Sequence, residues 1–511
     1  MFLSKKCFLA GLLVLGYVVL LAAFSISEYP QEKVAKFGWP YLFDKPVGED
    51  GFYMLQVAWN TAQGNWFSDP NGKVVTGVQP LVVFLYASVA KLTIMMGGGK
   101  DLFVRLIILV NGLLLVMYSH FMGAISARLL RTPSTYGVGF TLAAFSFFCF
   151  RVFTYGLETG LYLVLFSLFV LYLMRLSEGH FEGPVLYKEK VILGILIGVL
   201  GLARIDFGVI FAVFLIIFTS LYGFRATLKW ALPGLIGLAL VLCWFIFCYV
   251  KTGTPMPSSG PAQASMIGFG DLGVRIKAGM LGLLQVTVPF LFNGGRWELG
   301  LLQAPIFFMS VVFLKKRYAA LPATFIYLLS ASIFLSFLYP VFFWAGHFYS
   351  RYMSVLMVFT IPILANLVSE KQFFRKRYAP ALIVIFFSFS LVSLHSGRIG
   401  NLHSLTAGWV KKEHPDKLIA AFQSGVIGFV NDAVVNLDGK VNADVLSYVE
   451  AGDITQYLIS HPEIDVIVDW PMYIEKYINK EYFDGNWVVC LDESKWGSRA
   501  YCRLHIRGDG S

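Results

Sequence analysis

The stretch KPVGEDGFYMLQVAWN, residues 45–60, follows the first apolar segment and contains two adjacent carboxylates, Glu49 and Asp50. Behind them, apolar residues recur at the spacing of one helical face: Phe52, Leu55 and Trp59. This pattern predicts a short helix. One interpretation of Asp50 is therefore a helix N-cap. A charged pair beside an apolar segment also suggests a functional site, because charge is costly near a bilayer.

Outward from this stretch the chain is mostly apolar. Its 511 residues are 57% hydrophobic and only 14% charged, whereas soluble globular proteins carry about 25% charged residues. Several apolar runs within residues 7–396 reach about 20 residues, the length that crosses a bilayer. The composition therefore predicts a polytopic α-helical membrane protein. The net charge of +10 does not indicate a nucleic-acid partner, because the basic residues cluster in short loops between apolar runs.

Those basic loops predict the topology, because loops rich in Lys and Arg stay in the cytoplasm. They are residues 126–133, 174–190, 224–229, 315–318 and 370–378. About eleven spans keep all of them and the N-terminus inside. The spans are 7–25, 102–124, 134–153, 157–174, 190–204, 208–223, 230–250, 298–314, 319–338, 353–369 and 379–396. We expect the first to be a retained helix and not a cleaved signal peptide.

Two further apolar stretches, 79–96 and 272–292, do not fit this alternation. We interpret both as helices on the outer face of the bilayer; in the alternative both cross, which gives about thirteen spans. Either count is odd and places the C-terminal segment (397–511) outside. With the two stretches on the outer face, a first loop (26–101) and a second loop (251–297) also lie outside. The expected location is a bacterial inner (plasma) membrane, with that segment periplasmic or extracellular.

The C-terminal segment is predicted to form a separate α/β domain after the membrane module of residues 1–396. Strands are predicted at GVIGFVND, AVVNLDG, IDVIVDW and NWVVCL, and helix at NADVLSYVEAGDITQYLIS. Cys490 and Cys502 lie in or beside strand-like runs, and an oxidising compartment would let them pair. Two free thiols are the alternative. No catalytic motif is visible in this domain.

Charged residues from separate segments gather at the predicted outer ends of the spans. They are Arg105, Glu158, Arg204, Asp206, Lys251, His347 and Arg351. Structural alternatives exist: Arg204 and Asp206 could pair with each other, and Arg351 could anchor a helix at the interface. As a set they suit transfer from a lipid-linked phosphosugar. A base would take a proton from an acceptor hydroxyl while cations hold the leaving phosphate.

The order of the motifs resembles the GT-C superfamily of integral membrane glycosyltransferases, which take a sugar from a polyprenyl-phosphate carrier. Members include protein O-mannosyltransferases, lipid A aminoarabinose transferases and mycobacterial arabinofuranosyltransferases. The acidic pair with the later GVQPL resembles their first external loop. YGLETGLY, LARIDFG, TGTPMPSSGPAQA, FYSRYM and, in the C-terminal segment, GVIGFVNDAVVNLDGKVN resemble further family motifs, with substitutions. The resemblance covers most of the chain and implies the GT-C fold.

In this family an acidic residue of the first loop is the catalytic base, which implies Asp50 first and Glu49 second. Cations that would bind the donor phosphate are Arg204, Arg351, Lys251, Arg296 and Lys277. Residues that would orient the substrates are Glu158, Asp206, Tyr53 and His347. Some members need a divalent metal such as Mg²⁺ or Mn²⁺ and others do not. The carboxylates here show no ligand spacing, so no cofactor is assigned.

The sequence therefore predicts an inverting glycosyltransferase acting between a polyprenyl-phosphate sugar and a hydroxyl of a glycan, lipid or protein. The alternative is a transporter or flippase for a lipid-linked sugar. Transporters commonly show internal repeats and charges near the bilayer midplane. The second half of this chain does not repeat the first, and the charges gather at one face. A non-catalytic assembly protein is a third alternative. The donor sugar, the acceptor and the oligomeric state stay open.

Overall fold

The computed structural model describes residues 5–23, 46–177, 186–262, 271–291, 296–342, 349–370, 403–491 and 498–504, with residues 384, 385 and 388. Most of the predicted span 379–396 therefore lies outside the described residues, as does His347.

Long apolar helices form the N-terminal part of the molecule. Six of the described helices are long and apolar enough to cross a membrane: Lys100–Leu129, Thr159–Ser177, Phe224–Thr252, Trp297–Ala320, Ala323–Phe342 and Tyr349–Glu370. Further apolar helices are Lys5–Ala23, Tyr187–Ala203 and Phe207–Tyr222. Apart from 134–153, which is a broken pair, each predicted span up to 353–369 coincides with a helical segment. The number of crossings, predicted as about eleven, is not established by these lengths.

The predicted span 134–153 is a broken pair of helices. Thr135–Ala144 and Phe147–Thr154 are bent by 56°. Ser146 causes the break, because its hydroxyl caps the second helix by accepting a backbone N–H at 3.1 Å. The same hydroxyl donates to the carbonyl of Pro289 at 2.8 Å. A segment of the predicted second loop is thereby fixed at the bend, and the predicted span consists of two helices.

The two stretches interpreted as outer-face helices are short helices, Pro80–Met95 and Leu272–Thr287. Each has 16 residues, so each is about 24 Å long, against a hydrocarbon core of about 30 Å. Helix Phe207–Tyr222, which was predicted to span, has the same length, so the outer-face interpretation stays a prediction. Pro80 occupies the first turn of its helix, where its missing N–H costs nothing.

The helix behind the acidic pair runs over Glu49–Ala62 and is called the site helix below. It begins after Gly48, which is the N-cap, and no side chain caps it. Asp50 is therefore not the cap but lies in the first turn, where a carboxylate suits the helix dipole. The sequence pattern predicted that one face of this helix is buried. This prediction was too narrow, because nearly every residue up to Trp59 is buried. Helix Pro80–Met95 and the C-terminal domain both pack on it.

The C-terminal domain, residues 403–504, is an α/β unit as predicted. Its strands are Leu418–Ala421 (β1), Val434–Asn436 (β2), Ile464–Asp469 (β3), Trp487–Leu491 (β4) and Arg499–Arg503 (β5). They form a five-stranded sheet in the order β2-β1-β3-β5-β4. Strands β1, β2 and β3 are parallel, and β5 is antiparallel to β3 and β4. Helices are His403–Glu413, Gly425–Val430, Ala443–Ala451, Ile454–Ser460, Pro471–Tyr477 and Lys480–Asn486.

One predicted strand of this domain is a helix. GVIGFVND contains helix Gly425–Val430, called the docking helix below, and the neighbouring strand is β1. All six residues of the docking helix are buried. A short, continuous apolar run of this kind cannot be assigned to strand or helix by periodicity alone. Elsewhere in the domain, Cys490 on β4 and Cys502 on β5 are joined by a disulfide.

Candidate active site

Asp50 lies at a partly open place at the start of the site helix. Its carboxylate pairs with the guanidinium of Arg351, with Oδ2 and Nη1 3.2 Å apart, and 22% of the Asp50 side chain is exposed. The backbone around it is tightly held. The N–H of Gly48 donates to the carbonyl of Tyr155 at 3.0 Å, and a Cβ on Gly51 would overlap that same carbonyl. Only glycine at position 51 permits this approach.

Glu49, although adjacent, points in another direction. Its Oε1 accepts the backbone N–H of Val426 in the docking helix at 3.1 Å. Its Oε2 is buried and has no hydrogen-bond partner among the described residues. Burial, with smaller contributions from Asp50 and Asp469, raises the pKa of Glu49 to about 8. Glu49 is thus mostly neutral at pH 7 and contacts the C-terminal domain.

Tyr53, one turn further along the site helix, also contacts the C-terminal domain. Its hydroxyl donates to the carbonyl of Phe422 at 3.2 Å and accepts the N–H of Ser424 at 3.0 Å. Gln56, on the next turn, donates to the carbonyl of Gly428 at 2.6 Å. The predicted substrate-orienting role of Tyr53 remains a prediction, but the contacts in the structure hold the two parts of the molecule together.

Arg204 stands at the centre of a second charged cluster. Its Nη1 donates to Glu158 at 2.7 Å and its Nη2 to Asp206 at 2.6 Å. The hydroxyl of Tyr339 also bonds Asp206. Only 7% of the Arg204 side chain is exposed. The structure therefore brings together the predicted residues Glu158, Arg204 and Asp206, and it engages Arg204 with carboxylates, which leaves little of it open to a phosphate.

The two clusters meet at the ring of Tyr352. The guanidinium of Arg204 lies 5.1 Å from this ring's centroid, and that of Arg351 lies 5.2 Å from it. Both distances suit cation–π contact. Tyr339 stacks on the same ring, with centroids 5.1 Å apart. The ring of Tyr352 therefore contacts both clusters. Sequence reasoning noted an Arg-Tyr motif here but assigned no role to Tyr352 or Tyr339.

The C-terminal domain adds a cation that the sequence prediction missed. Lys440 pairs with the buried Asp438, with Nζ and Oδ2 2.8 Å apart. Although burial lowers the pKa of Lys440, the charges of Asp438 and Asp50 raise it above its ordinary value. The turn that carries Lys440 follows β2, and Asn436 at the end of β2 donates to the hydroxyl of Tyr53 on the site helix at 3.5 Å. Lys440 therefore lies in the part of the C-terminal domain that contacts the site helix. Lys440 lies in a turn without apolar periodicity, so its positive charge was the only signal in the sequence that could have indicated it.

Three other predicted phosphate-binding cations do not join this site. Lys251 ends helix Phe224–Thr252, Lys277 lies on helix Leu272–Thr287, and Arg296 precedes helix Trp297–Arg317. All three are exposed. None takes part in an ion pair within the described part of the chain. Arg105 pairs with Asp101 one turn away at 3.0 Å, a contact within its own helix.

The carboxylates of the site do not fit a divalent metal. Asp50 faces Arg351, Glu49 faces a backbone N–H, and both Glu158 and Asp206 are bound by Arg204. Mg²⁺ and Mn²⁺ prefer several converging oxygen ligands. Within the described residues, one cluster of three potential metal-ligating side chains occurs, formed by His414 and the two disulfide-bonded cysteines. No catalytic step is therefore derived through a metal.

No protein-family model matches the sequence, and neither does any curated protein. Solved structures match nearly the whole chain. ArnT from Cupriavidus metallidurans bound to undecaprenyl phosphate has a TM-score of 0.57 at 13% identity, covering 95% of this chain and 98% of that one. Its apo state has a TM-score of 0.58 at 12% identity, covering 96% and 98%.

An archaeal protein has the same architecture. The oligosaccharyltransferase AglB from Archaeoglobus fulgidus, in complex with an inhibitory peptide and a dolichol-phosphate, has a TM-score of 0.52 at 12% identity. The match covers 97% of this chain and 74% of that one. At such identities the likeness establishes the fold. The resemblance to the GT-C superfamily is thereby confirmed at the level of the fold.

Proposed function

We propose that this chain, with its GT-C fold, is an inverting glycosyltransferase. It moves a sugar from a polyprenyl-phosphate-linked monosaccharide to a hydroxyl of a cell-envelope glycan, lipid or protein. The observation that carries the proposal is the partly exposed Asp50 carboxylate, paired with Arg351 from 301 residues further along the chain. Structures of the same fold contain undecaprenyl phosphate in ArnT and dolichol-phosphate in AglB, which supports a polyprenyl-phosphate partner.

In the proposed reaction Asp50 is the general base. The acceptor oxygen attacks the anomeric carbon of the donor sugar, and its proton passes to the Asp50 carboxylate. As the new carbon–oxygen bond forms, the bond from the anomeric carbon to the phosphate oxygen breaks. Its electron pair leaves with the polyprenyl phosphate, and the configuration inverts. The ion pair with Arg351 orients the Asp50 carboxylate, and the Arg351 guanidinium offers charge to the leaving phosphate.

The cluster around Arg204 has a positioning role in this proposal. Arg204 is held by Glu158 and Asp206 and lies against the ring of Tyr352. Because Arg351 lies against the same ring, this cluster fixes the direction of the Arg351 guanidinium. A base and a phosphate-binding cation need such support, since small misplacements cost large factors in rate.

We also propose that the membrane is the bacterial inner membrane and that the C-terminal domain is periplasmic. The basic loops support this orientation. So does the disulfide between Cys490 and Cys502, because disulfides persist in oxidising compartments. Substituting the exposed Arg128 with Cys and labelling intact cells tests it. A membrane-impermeant thiol reagent should leave position 128 unmodified, and labelling there contradicts the orientation.

The function is tested in cells of the source organism. We expect the Asp50→Asn variant to lose one cell-envelope glycan or glycosylated product while the protein keeps its abundance. Glu49→Gln should retain most glycosylation, because a neutral amide can replace a neutral acid beside Val426. Full glycosylation with Asp50→Asn contradicts the assignment of the base. A change in lipid-linked sugar distribution across the membrane, with transfer intact, favours the transporter alternative.

A further inference from the structure

We infer that Lys440 of the C-terminal domain is a phosphate-binding residue of the active site. The inference rests on the proposed function, and it means that the site is complete only when the C-terminal domain is docked. Arg351 then supplies one cation from the membrane module. Lys440 supplies a second from the C-terminal domain, in the turn after Asn436, whose amide donates to the hydroxyl of Tyr53 on the site helix at 3.5 Å.

The backbone of Lys440 is held by two separate segments of the membrane module. The hydroxyl of Ser258 donates to the Lys440 carbonyl at 2.8 Å. Gly77 lies so close to the same carbonyl that a Cβ at this position would overlap it. Thr76 joins these segments to each other, because its hydroxyl accepts the N–H of Ser258 at 3.4 Å. The turn that carries Lys440 therefore has a fixed place.

The side chain of Lys440 is aimed by a single carboxylate. One oxygen of Asp438 accepts the backbone N–H of Lys440 at 2.9 Å, and the other pairs with its amino group at 2.8 Å. The Asp438 side chain is 2% exposed, whereas the Lys440 side chain is 26% exposed. Asp438 is thus the buried anchor, and the amino group lies at the open end of the pair.

A phosphate fits this arrangement better than another carboxylate would. An ammonium has three donor hydrogens, and the ion pair with Asp438 leaves donors for a second acceptor. Arg351 likewise presents a planar guanidinium with five donor hydrogens. A phosphate monoester offers several terminal oxygens, so it can accept from both cations at once. The charges around Asp50 therefore indicate an anion-binding place beside the base.

The supporting contacts are specific to this lysine. Lys412, on the same domain, is 82% exposed and pairs only with its neighbour Glu413. Lys417 reaches Asp465 at 3.9 Å, with 40% of its side chain exposed. Neither has a backbone held by the membrane module among the described contacts. Lys412 therefore offers a control of the same residue type in the same domain.

The test measures binding of a long-chain polyprenyl phosphate and of the uncharged polyprenol to the purified full-length protein. Native mass spectrometry in detergent reports the occupancy of each lipid. The wild type should bind the polyprenyl phosphate more tightly than the polyprenol. In Lys440→Met this affinity ratio should fall roughly tenfold, which is the effect of losing one charge-assisted contact. Lys440→Arg should keep most of the preference. Lys412→Met should behave as the wild type.

Each outcome decides a different point. A wild type without preference contradicts the proposed function and, with it, this inference. A wild-type preference that Lys440→Met retains overturns the role of Lys440 alone. If Lys440→Met does not fold, Lys440→Gln carries the same test. Excess phosphatidylglycerol distinguishes the carrier from bulk anionic lipid: it should leave the occupancy by polyprenyl phosphate unchanged, and displacement overturns the inference.

Discussion

Asp50 and Glu49 are neighbours in sequence, yet they occupy contrasting surroundings. Asp50 is partly exposed and forms an ion pair with the guanidinium of Arg351. Glu49 is buried against the docking helix, and its pKa is raised to about 8. Two neighbouring carboxylates in such different surroundings can take different roles. The ranking of Asp50 over Glu49 as the base stays a prediction, and these surroundings, which the sequence does not reveal, are its structural rationale.

The buried Glu49 predicts a specific dependence of stability on pH. Its pKa is 4.5 in an ordinary setting and about 8 in the folded protein. The folded state thus binds the proton more tightly between these values, so the Glu49 contribution to stability is greatest below the lower value and falls as the pH rises toward the upper one. Asp469, whose pKa burial raises to about 7, acts in the same direction.

Glu49→Gln should remove the part of this pH dependence of stability that Glu49 contributes. Thermal unfolding of wild type and variant between about pH 5 and about pH 8.5 measures it, because the difference between the two curves isolates one group. The stability of the variant relative to that of the wild type should increase as the pH rises. Glu463→Gln, at an exposed position of the same domain, is the control and should run parallel to the wild type. If the curve for Glu49→Gln runs parallel to that of the wild type, the assignment of a raised pKa to Glu49 is contradicted.

At the scale of elements, the site helix decides where the base lies. Its first turn is fixed against Tyr155 through Gly48 and Gly51. Gly51→Ala should therefore displace Asp50 or separate the first turn of the site helix from the segment that contains Tyr155. We expect transfer to fall by roughly 100-fold, since small displacements of a catalytic group cost this much. The measurement is the initial rate of sugar transfer alongside the unfolding midpoint.

The matched control for Gly51 is Gly208. It lies in helix Phe207–Tyr222, and a Cβ added there meets no atom within 4 Å. Gly208→Ala should keep the rate and should raise helix stability by up to about 1 kcal/mol. Wild-type transfer by Gly51→Ala contradicts the account of the first turn.

Elements were predictable from sequence where periodicity and length agree. Apart from 134–153, each predicted span up to 353–369 is helical, and three of the four predicted strands are strands. The failures have local causes. The hydroxyl of Ser146 caps a new helix inside an apolar run, and an N-cap there is hidden by apolar neighbours. The docking helix is apolar on every side because it is buried on every side, so its pattern carries no period.

At the scale of the whole molecule, docking of the C-terminal domain shapes the site. Lys100 donates to the carbonyl of Phe429 at 2.8 Å, and Phe52 packs on the Phe429 ring at 5.2 Å. These contacts join residues that are hundreds of positions apart. Sequence reasoning could place charges at one side of the membrane, but it could not pair Asp50 with Arg351 or bring Lys440 to them. Such pairs depend on tertiary packing, which local pattern does not encode.

The disulfide of this domain gives a prediction at the same scale. It closes a loop between Cys490 and Cys502, which are 12 residues apart. Its loss through Cys490→Ser should destabilise the domain by roughly 3 kcal/mol. Limited proteolysis of the purified protein, with and without reductant, should show faster cleavage of residues 403–504 once the bond is broken. Cys243→Ser, at an exposed helical cysteine, is the control and should leave cleavage unchanged. Equal cleavage in all samples contradicts the stabilising role of the disulfide.

The central claim is that Asp50 is the base of a transferase that uses a polyprenyl-phosphate sugar. The most direct measurement is the rate at which purified protein in lipid nanodiscs releases polyprenyl phosphate from a panel of such donors, with envelope extract as the acceptor. We predict release with at least one donor by the wild type, and a loss of roughly 100-fold or more in Asp50→Asn with the donor still bound. Release by Asp50→Asn at the wild-type rate would contradict the claim.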